Sequence, residues 1–173
     1  MQESLEPDTL DAFGKAFSYT MDWEGWDKVT NDPDDKGGIT KYGISKKAHP
    51  EVDVEHLNED GAKAIYRHDY WDAIKGDGIK YELVAIKLFD MAVNMGSHKA
   101  VKLVQEAVNQ VSMEHVDVDG KMGPKTLQAL NGIDPDVLFL FLVPLLELFY
   151  RSLNQPKFLK GWLRRARTCP KEA

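Results

Sequence analysis

A single glutamate lies between two tryptophans, and an acidic loop follows it. Glu24 stands next to Trp23 and two positions before Trp26, and the segment 31–35 holds three aspartates. Indole rings partly remove a neighbouring carboxylic acid from water, and such an acid can give its proton to a leaving oxygen. A second carboxylate on a facing loop can hold a water molecule or stabilise a developing positive charge. The residue types therefore suit acid–base chemistry with two carboxylates, the arrangement that cleaves glycosidic bonds.

The same residues also fit a purely structural interpretation. Glu24 can be an ordinary surface residue, and the aspartates can cap helices or turns. The segment 31–38 is dense in Asn, Asp, Pro and Gly, which predicts a turn-rich loop. Long loops of this kind inside a helical protein are usually functional or disordered. Residue spacing alone leaves both interpretations open.

Helices are the elements that must position these residues. Before Glu24, apolar residues recur at three- and four-residue steps, at Leu10, Phe13, Phe17 and Met21. Similar spacing predicts helices over 58–73, 82–95, 97–111 and 156–166, and prolines at 124 and 135 suit the first turns of two more. Period-2 alternation of useful length is absent from the sequence. The predicted fold is all-α, with at most a tiny β-hairpin between Gly37 and Ser45.

Composition excludes several classes of protein. The chain has 173 residues, a net charge of −6 and one cysteine, Cys169, so it has neither a disulfide framework nor a thiolate-rich zinc site. The negative charge argues against a nucleic-acid partner. Five histidines lack the His-Glu-x-x-His spacing, and the calcium-loop-like start at 117–120 lacks the later ligands, so we predict no metal and no cofactor.

The ends of the chain and its most apolar segment bear on membranes. Residues 1–10 carry three acids and no basic residue or apolar segment, which predicts that there is no Sec signal peptide. The apolar run 137–150 is too short to span a bilayer and contains a proline and a glutamate, so stable membrane insertion is not expected. From Arg151 onward, seven Lys or Arg residues accompany one Glu, which gives the acidic chain a basic end.

Several motifs together resemble a known family. Residues 23–25 are Trp-Glu-Gly, residues 31–45 are Asn-Asp-Pro-Asp-Asp-Lys-Gly-Gly-Ile-Thr-Lys-Tyr-Gly-Ile-Ser, and residues 89–96 are Phe-Asp-x-Ala-Val-Asn-x-Gly. These motifs resemble the signature of glycoside hydrolase family 108, lysozyme-like N-acetylmuramidases of phages and bacteria. Residues 100–105 and 118–127 are similar to the peptidoglycan-binding segment that closes these proteins. The resemblance covers roughly residues 11 to 167.

The resemblance implies roles for individual residues. Glu24 matches the general acid for hydrolysis of the β-1,4 bond between N-acetylmuramic acid and N-acetylglucosamine. Thr40 matches a threonine that helps to position the attacking water. Asp35 is the first choice for the second carboxylate, and Asp32 and Asp34 remain alternatives.

The resemblance also implies residues that bind the glycan. The Gly-Gly-Tyr that follows the glutamate in the family is Gly-Trp-Asp here, so Trp26 is expected to stack on a sugar face. Asp32, Tyr42 and Asn94 complete the predicted substrate-binding set. For Asn94, an alternative is that it caps its own helix.

At the level of the whole chain, the resemblance implies a lysozyme-like catalytic region over 11–96 and a helical peptidoglycan-binding region over 97–168, packed as one unit. The expected partner is the glycan strand of peptidoglycan, and the expected state is a monomer. Two other functions stay open: a wall-binding or secretion-assisting protein without activity, and a lytic transglycosylase. The outcome at the anomeric carbon, inverting or retaining, depends on the separation of the carboxyl groups and stays open too.

The place of action and the basic end lead to two further expectations. Synthesis in the cytoplasm without a signal peptide implies that the protein reaches the cell wall through a holin, a channel or lysis. Peptidoglycan is anionic, so the basic run can contribute to wall binding through Arg164, Arg165 and Arg167. The alternative is that it forms only the solvated face of a helix.

Overall fold

Helices make up most of the molecule, as the sequence predicts. The computed structural model describes residues 11–30 and 38–171. Its α-helices are α1 (Ala12–Glu24), α2 (Glu59–Tyr66), α3 (Glu82–Met95), α4 (Ser97–Val111), α5 (Pro124–Asn131), α6 (Pro135–Ser152) and α7 (Pro156–Arg167). A π-helical turn, Arg67–Trp71, continues α2, and a short 3-10 turn, Gly76–Gly78, precedes α3. The fold is all-α and lysozyme-like, which confirms the predicted class.

The helix boundaries follow from local chemistry. At α1, the Asp11 side chain accepts a hydrogen bond of 2.7 Å from the Gly14 amide, and Asn58 caps α2 in the same way. Proline occupies the first turn of α5, α6 and α7, where no helical partner for its nitrogen is needed. Gly25 ends α1 with a left-handed φ of 96°. Glycine adopts this conformation with little strain because it has no Cβ atom.

A two-stranded hairpin is the sheet found within the described ranges. Strand β1 (Thr40–Lys41) pairs antiparallel with β2 (Ile44–Ser45), with Thr40 opposite Ser45. The two turn residues, Tyr42 and Gly43, have φ values of 53° and 73°. Positive φ at both central residues is what a type I′ turn requires. Thr30 and Thr40 exchange two backbone hydrogen bonds of 2.9 Å, so the hairpin is fastened to the segment that follows α1.

Helix α3 is the centre of the fold. All nine residues from Val84 to Ala92 are buried, because α1 packs on one side of the helix and α4 on another. Next in the stack, α6 covers α4 and α7 covers α6. An aromatic cluster joins α1, α2 and α3, and its rings make edge-on contacts with centroids 5.5 to 5.8 Å apart. The members of the cluster are Phe13, Phe17, Tyr66, Trp71 and Phe89. Trp71 is fully buried, which makes it a core residue.

Buried apolar residues from both predicted regions belong to one continuous core. The predicted division between 11–96 and 97–168 remains a prediction. Across residues 11–30 and 38–171, no helix is both long enough and apolar enough to span a membrane.

Candidate active site

Glu24 is the last residue of α1 and lies where the chain turns sharply. Gly25 and then Trp26 adopt left-handed φ values, 96° and 52°, so the chain reverses directly after the carboxylate. The side chain of Glu24 remains 25% exposed, which leaves the carboxylate accessible to a ligand. Within the described ranges, four residues other than glycine have positive φ, and Trp26 and Tyr42 of this region are two of them. Unusual backbone of this kind is frequent at functional sites.

An arginine from the other end of the chain binds the Glu24 carboxylate. Nη1 of Arg165, on α7, donates a hydrogen bond of 2.8 Å to Oε1 of Glu24. The same guanidinium donates from Nη2 to Oδ1 of Asp90 at 2.8 Å and from Nε to both Asp90 oxygens at 3.2 Å. Helices α1, α3 and α7 therefore meet at one Glu24–Arg165–Asp90 cluster.

The cluster is fixed because its inner members have little access to water. The side chains of Arg165 and Asp90 are only 9% and 2% exposed. Burial by itself lowers the pKa of the Arg165 guanidinium. Hydrogen bonds and negative charge from Asp90, and after it from Glu24, have the opposite effect and are stronger, so the pKa lies above its ordinary value. A buried charge needs such partners, since leaving either one unpaired costs several kcal/mol (roughly 3–5 in measured cases).

A second buried cation on α3 fixes the end of α7. Nζ of Lys87 donates to the carbonyl oxygens of Arg165, Ala166 and Thr168, at 2.8, 3.1 and 2.7 Å. These carbonyls belong to the C-terminal end of α7, where a positive charge is favourable. Burial lowers the pKa of Lys87, and the charge of Asp90 partly opposes that shift. The backbone that carries Arg165 is thus held against the core.

The hairpin lies against the other side of Glu24. A Cβ atom placed on Gly43 would lie 3.5 Å from Oε2 of Glu24 and 2.7 Å from the Tyr66 hydroxyl oxygen. That hydroxyl donates a 2.7 Å hydrogen bond to the carbonyl of Tyr42 and so secures the turn. Gly43 has a φ of 73°, and only glycine leaves room for this close approach in that conformation. The turn therefore reaches Glu24 without covering it by a side chain.

The two tryptophans beside Glu24 have different surroundings. Trp26 is half-buried: its indole nitrogen donates to Asp22 at 3.0 Å and its ring packs edge-on against Phe17. Trp23 lies under two guanidinium groups, those of Arg164 at 5.2 Å and Arg165 at 5.7 Å from the ring centroid. Cations in such positions are attracted to the face of an indole ring. Trp23 thus connects the C-terminal end of α1, which carries Glu24, to the basic residues of α7.

The remaining sequence-predicted residues are placed as follows. Thr40 is half-buried in β1 of the hairpin, two residues before the turn that approaches Glu24. Tyr42 is 7% exposed, which leaves little of its ring for a sugar to contact. Asn94 is half-buried on α3, where its Oδ1 accepts a 2.7 Å hydrogen bond from the Tyr150 hydroxyl. The predicted carboxylates Asp32, Asp34 and Asp35 lie outside the described residues.

The basic run at the C-terminus is less available than its composition implies. Arg165 is buried in the cluster with Glu24 and Asp90, so it is not a surface cation. Arg167 pairs with Glu147 at 2.6 Å, and Arg164 stacks on Trp23. The expectation that all three arginines contribute to wall binding through their charge is therefore wrong for Arg165. Sequence position could not reveal this, because burial of an arginine depends on which acids the fold brings to it.

Sequence reasoning missed Arg165 and Asp90 as members of the site. The sequence did indicate that Asp90 has a partner, because an acid within the apolar segment 84–92 must be paired if its helix is buried. Its partner lies 75 residues away in the chain, and Glu24 lies 141 residues from the same arginine. One sequence contains no information on pairs so distant. Within the described residues, no group of three or more His, Cys, Asp or Glu side chains is arranged to hold a metal ion.

Comparison with known proteins identifies the class. Residues 17–96 match the family described as glycosyl hydrolase 108, and residues 99–167 match a predicted peptidoglycan domain. The class is therefore that of glycoside hydrolases that act on peptidoglycan. Residues 17–96 are thus a glycosyl hydrolase 108 segment, and the segment that follows matches a predicted peptidoglycan domain.

A solved structure supports this assignment. The structure of Brucella abortus SagA is similar to this chain with a TM-score of 0.72 and 29% sequence identity. The similarity covers 89% of this chain and 88% of SagA, so it includes both matched halves. A comparison with functionally curated proteins finds no match.

Proposed function

We propose that this protein is an N-acetylmuramidase, which hydrolyses the β-1,4 bond between N-acetylmuramic acid and N-acetylglucosamine in peptidoglycan. Glu24 is the proposed general acid. The observation that supports this role most strongly is the location of Glu24: a partly exposed carboxylate at the end of α1, bound on one oxygen by Arg165 and approached on the other by the hairpin turn. The proposed place of action is the cell wall.

The proposed reaction uses two carboxyl groups and one water molecule. Glu24 gives its proton to the glycosidic oxygen, and the bond from that oxygen to the anomeric carbon breaks. Water attacks the anomeric carbon and gives up a proton to the second carboxylate, for which Asp35 is the first candidate and Asp32 and Asp34 the alternatives. Thr40 is proposed to help position this water, and Trp26 to contact a sugar face.

The test is the variant Glu24→Gln, assayed on purified peptidoglycan. The amide keeps the shape of the side chain but supplies no acidic proton, so hydrolysis is expected to fall by about 10²- to 10⁴-fold. Glu82→Gln is the matched control, because Glu82 is an exposed glutamate on α3 that pairs with Lys15 on the surface. Undiminished activity of the Glu24 variant, with an unchanged helical spectrum, would exclude Glu24 as the acid.

Mass spectrometry of the released fragments separates the remaining functions. A muramidase adds water and leaves reducing muramic acid ends. A lytic transglycosylase leaves anhydro ends, so anhydro products would contradict the proposal. Retention of the protein on walls without any release of fragments would identify a wall-binding protein instead.

A further inference from the structure

Arg165 contacts the proposed acid on one oxygen only. Nη1 of the guanidinium is 2.8 Å from Oε1 of Glu24, whereas Oε2 lies on the side of the hairpin turn at Gly43. A guanidinium can only donate hydrogen bonds, so the oxygen that it binds must act as an acceptor. The proton of a neutral Glu24 therefore has its place on Oε2.

We propose that Arg165 is a positioning residue that orients the Glu24 carboxyl group so that Oε2 delivers the proton to the glycosidic oxygen. This inference rests on the proposed role of Glu24 as the general acid. After the transfer, the carboxylate carries a negative charge, and the hydrogen bond from Arg165 to Oε1 stabilises it. Interactions that strengthen as charge develops lower the barrier, whereas those that bind both states equally do not.

Asp90 makes this arrangement possible in two ways. Its three hydrogen bonds with the guanidinium, from Nε and Nη2, fix the plane of Arg165 and leave Nη1 directed at Glu24. Its negative charge also compensates the positive charge of Arg165, so that Glu24 receives an oriented donor rather than an uncompensated cation. Lys87 completes the support by binding the backbone carbonyl of Arg165.

A consequence concerns the two halves of the chain. Arg165 lies within the segment that matches the peptidoglycan domain, whereas Glu24 lies within the glycosyl hydrolase 108 segment. The C-terminal half therefore contributes a side chain to the active site, beyond any contact with the wall.

The first test separates catalysis from substrate binding. Arg165→Lys keeps a cation beside Asp90, but one ammonium group lacks the fork that reaches both acids, so kcat is expected to fall about 100-fold or more with KM within about twofold. The double variant Asp90→Leu/Arg165→Met removes both charges together, so neither is left unpaired in the core. It is expected to retain the helical spectrum and to show the same loss in kcat.

The substrate for these measurements is soluble glycan strands from sonicated peptidoglycan, and methylguanidinium tests the mechanism directly. Added at millimolar concentration to Arg165→Ala, it is expected to restore kcat in a saturable manner, whereas Glu24→Gln does not respond. Unchanged kcat in Arg165→Lys and in the double variant, or a loss confined to KM, would overturn the inference.

A pH profile supplies a readout that a structural role alone would not change. The charged and titratable groups around the Glu24 carboxyl group, among the described residues, are Arg165 from α7, Asp90 from α3, Tyr66 from α2, Tyr70 from the π-helical turn and Tyr150 from α6. Burial raises the pKa of all three tyrosines, so they stay neutral during the assay. Asp90→Asn leaves the guanidinium uncompensated, which favours early loss of the proton from the acid. The alkaline limb of kcat/KM is expected to move to lower pH.

The inference and the proposed function fail in different ways. Full activity of Glu24→Gln would remove the general acid, and the inference with it. An inactive Glu24→Gln beside fully active Arg165 variants would leave the muramidase proposal intact and overturn only the role of Arg165. An unmoved alkaline limb in a folded Asp90→Asn variant would likewise count against the inference.

Discussion

Two segments of this protein each turn at a glycine with positive φ but are held in different ways. The hairpin segment, residues 38–45, contains Gly43 with a φ of 73°, and the C-terminal loop, residues 112–123, contains Gly120 with a φ of 74°. The hairpin segment is secured mainly by backbone bonds, such as those between Thr30 and Thr40, and the Tyr66 hydroxyl also donates a hydrogen bond to its turn.

The C-terminal loop is bound by side chains that reach out of the core. Gln105, fully buried on α4, donates to Asp119, to the carbonyl of Lys121 and to the Thr126 hydroxyl, and it accepts from the Gly120 amide. Asn109, one turn further along α4, exchanges two 2.8 Å hydrogen bonds with Val116.

The difference distinguishes the C-terminal loop, which has a structural role, from the hairpin segment, which lies at the proposed active site. In the C-terminal loop the acid with a calcium-loop-like spacing, Asp119, is a hydrogen-bond acceptor within the fold. In the hairpin segment, backbone bonds fix the geometry, so side chains near Glu24 remain available for a ligand. The hydrogen-bond partners of a glycine-containing loop must therefore be known before the loop is assigned a structural or a functional role.

The largest expected difference between the two loops comes from adding the same methyl group to each of them. Gly43→Ala places a Cβ 2.7 Å from the Tyr66 hydroxyl, and Gly120→Ala places one 2.6 Å from the His98 ring, each at a positive φ. Both variants are expected to lose about 2–4 kcal/mol of unfolding free energy, from the strained backbone and the crowding. Only Gly43→Ala is expected to lose kcat as well, about 100-fold, because the displaced turn lies beside Glu24.

The measurement is kcat on soluble glycan strands, taken well below both melting temperatures. An equal loss of kcat in the Gly120→Ala variant would show that the two loops are not functionally distinct. An unimpaired Gly43→Ala enzyme would show that the turn does not help to shape the site.

Gln105 is expected to contribute to the stability of the C-terminal loop and not to catalysis. Gln105→Leu keeps a similar volume but leaves the Gly120 amide and the Thr126 hydroxyl without their partner, so the unfolding free energy is expected to fall by about 2–3 kcal/mol. For a chain of this size the melting temperature should fall by roughly 5–10 °C, while kcat per folded molecule is unchanged. Exposed Gln128 on α5 is the control: Gln128→Leu should melt like the wild type. A fall in kcat at full folding would assign Gln105 to the site.

The smallest expected effect concerns Asp119 and pH. The hydrogen bond from Gln105, followed by that from the Lys121 amide, lowers the pKa of Asp119 below its ordinary 3.8. A carboxyl group with a depressed folded pKa stabilises the fold above its unfolded pKa and loses this contribution as pH falls through the folded value. Asp119→Asn should therefore melt below the wild type at pH 7, and the difference should shrink below about pH 4.

Thermal melts from pH 2 to 7 test this, with Asp117→Asn as the control at an exposed neighbouring position. A difference that stays constant down to pH 2 would mean that the charge of Asp119 contributes nothing to stability.

Most of the fold prediction came from the helical spacing of apolar residues and from the prolines at helix starts. The amphipathic spacing before Glu24 and the prolines at first turns are local signals, since each depends on residues within a few positions. Gly43 is a local signal for the hairpin turn, whereas the positive φ of Tyr42 is not, because residues with a Cβ atom rarely adopt it.

The sequence by itself determined the all-α class, through helical periodicity. Its short motifs carried the resemblance to glycosyl hydrolase 108, and that resemblance made Glu24 the candidate acid. Only the tertiary structure decided what surrounds that acid. Arg165 looked like one cation of a basic surface run, yet the fold buries it between Asp90 and Glu24. The reason is physical: a charge is removed from water only where partners from distant segments converge on it, and that convergence is a property of helix packing rather than of local sequence.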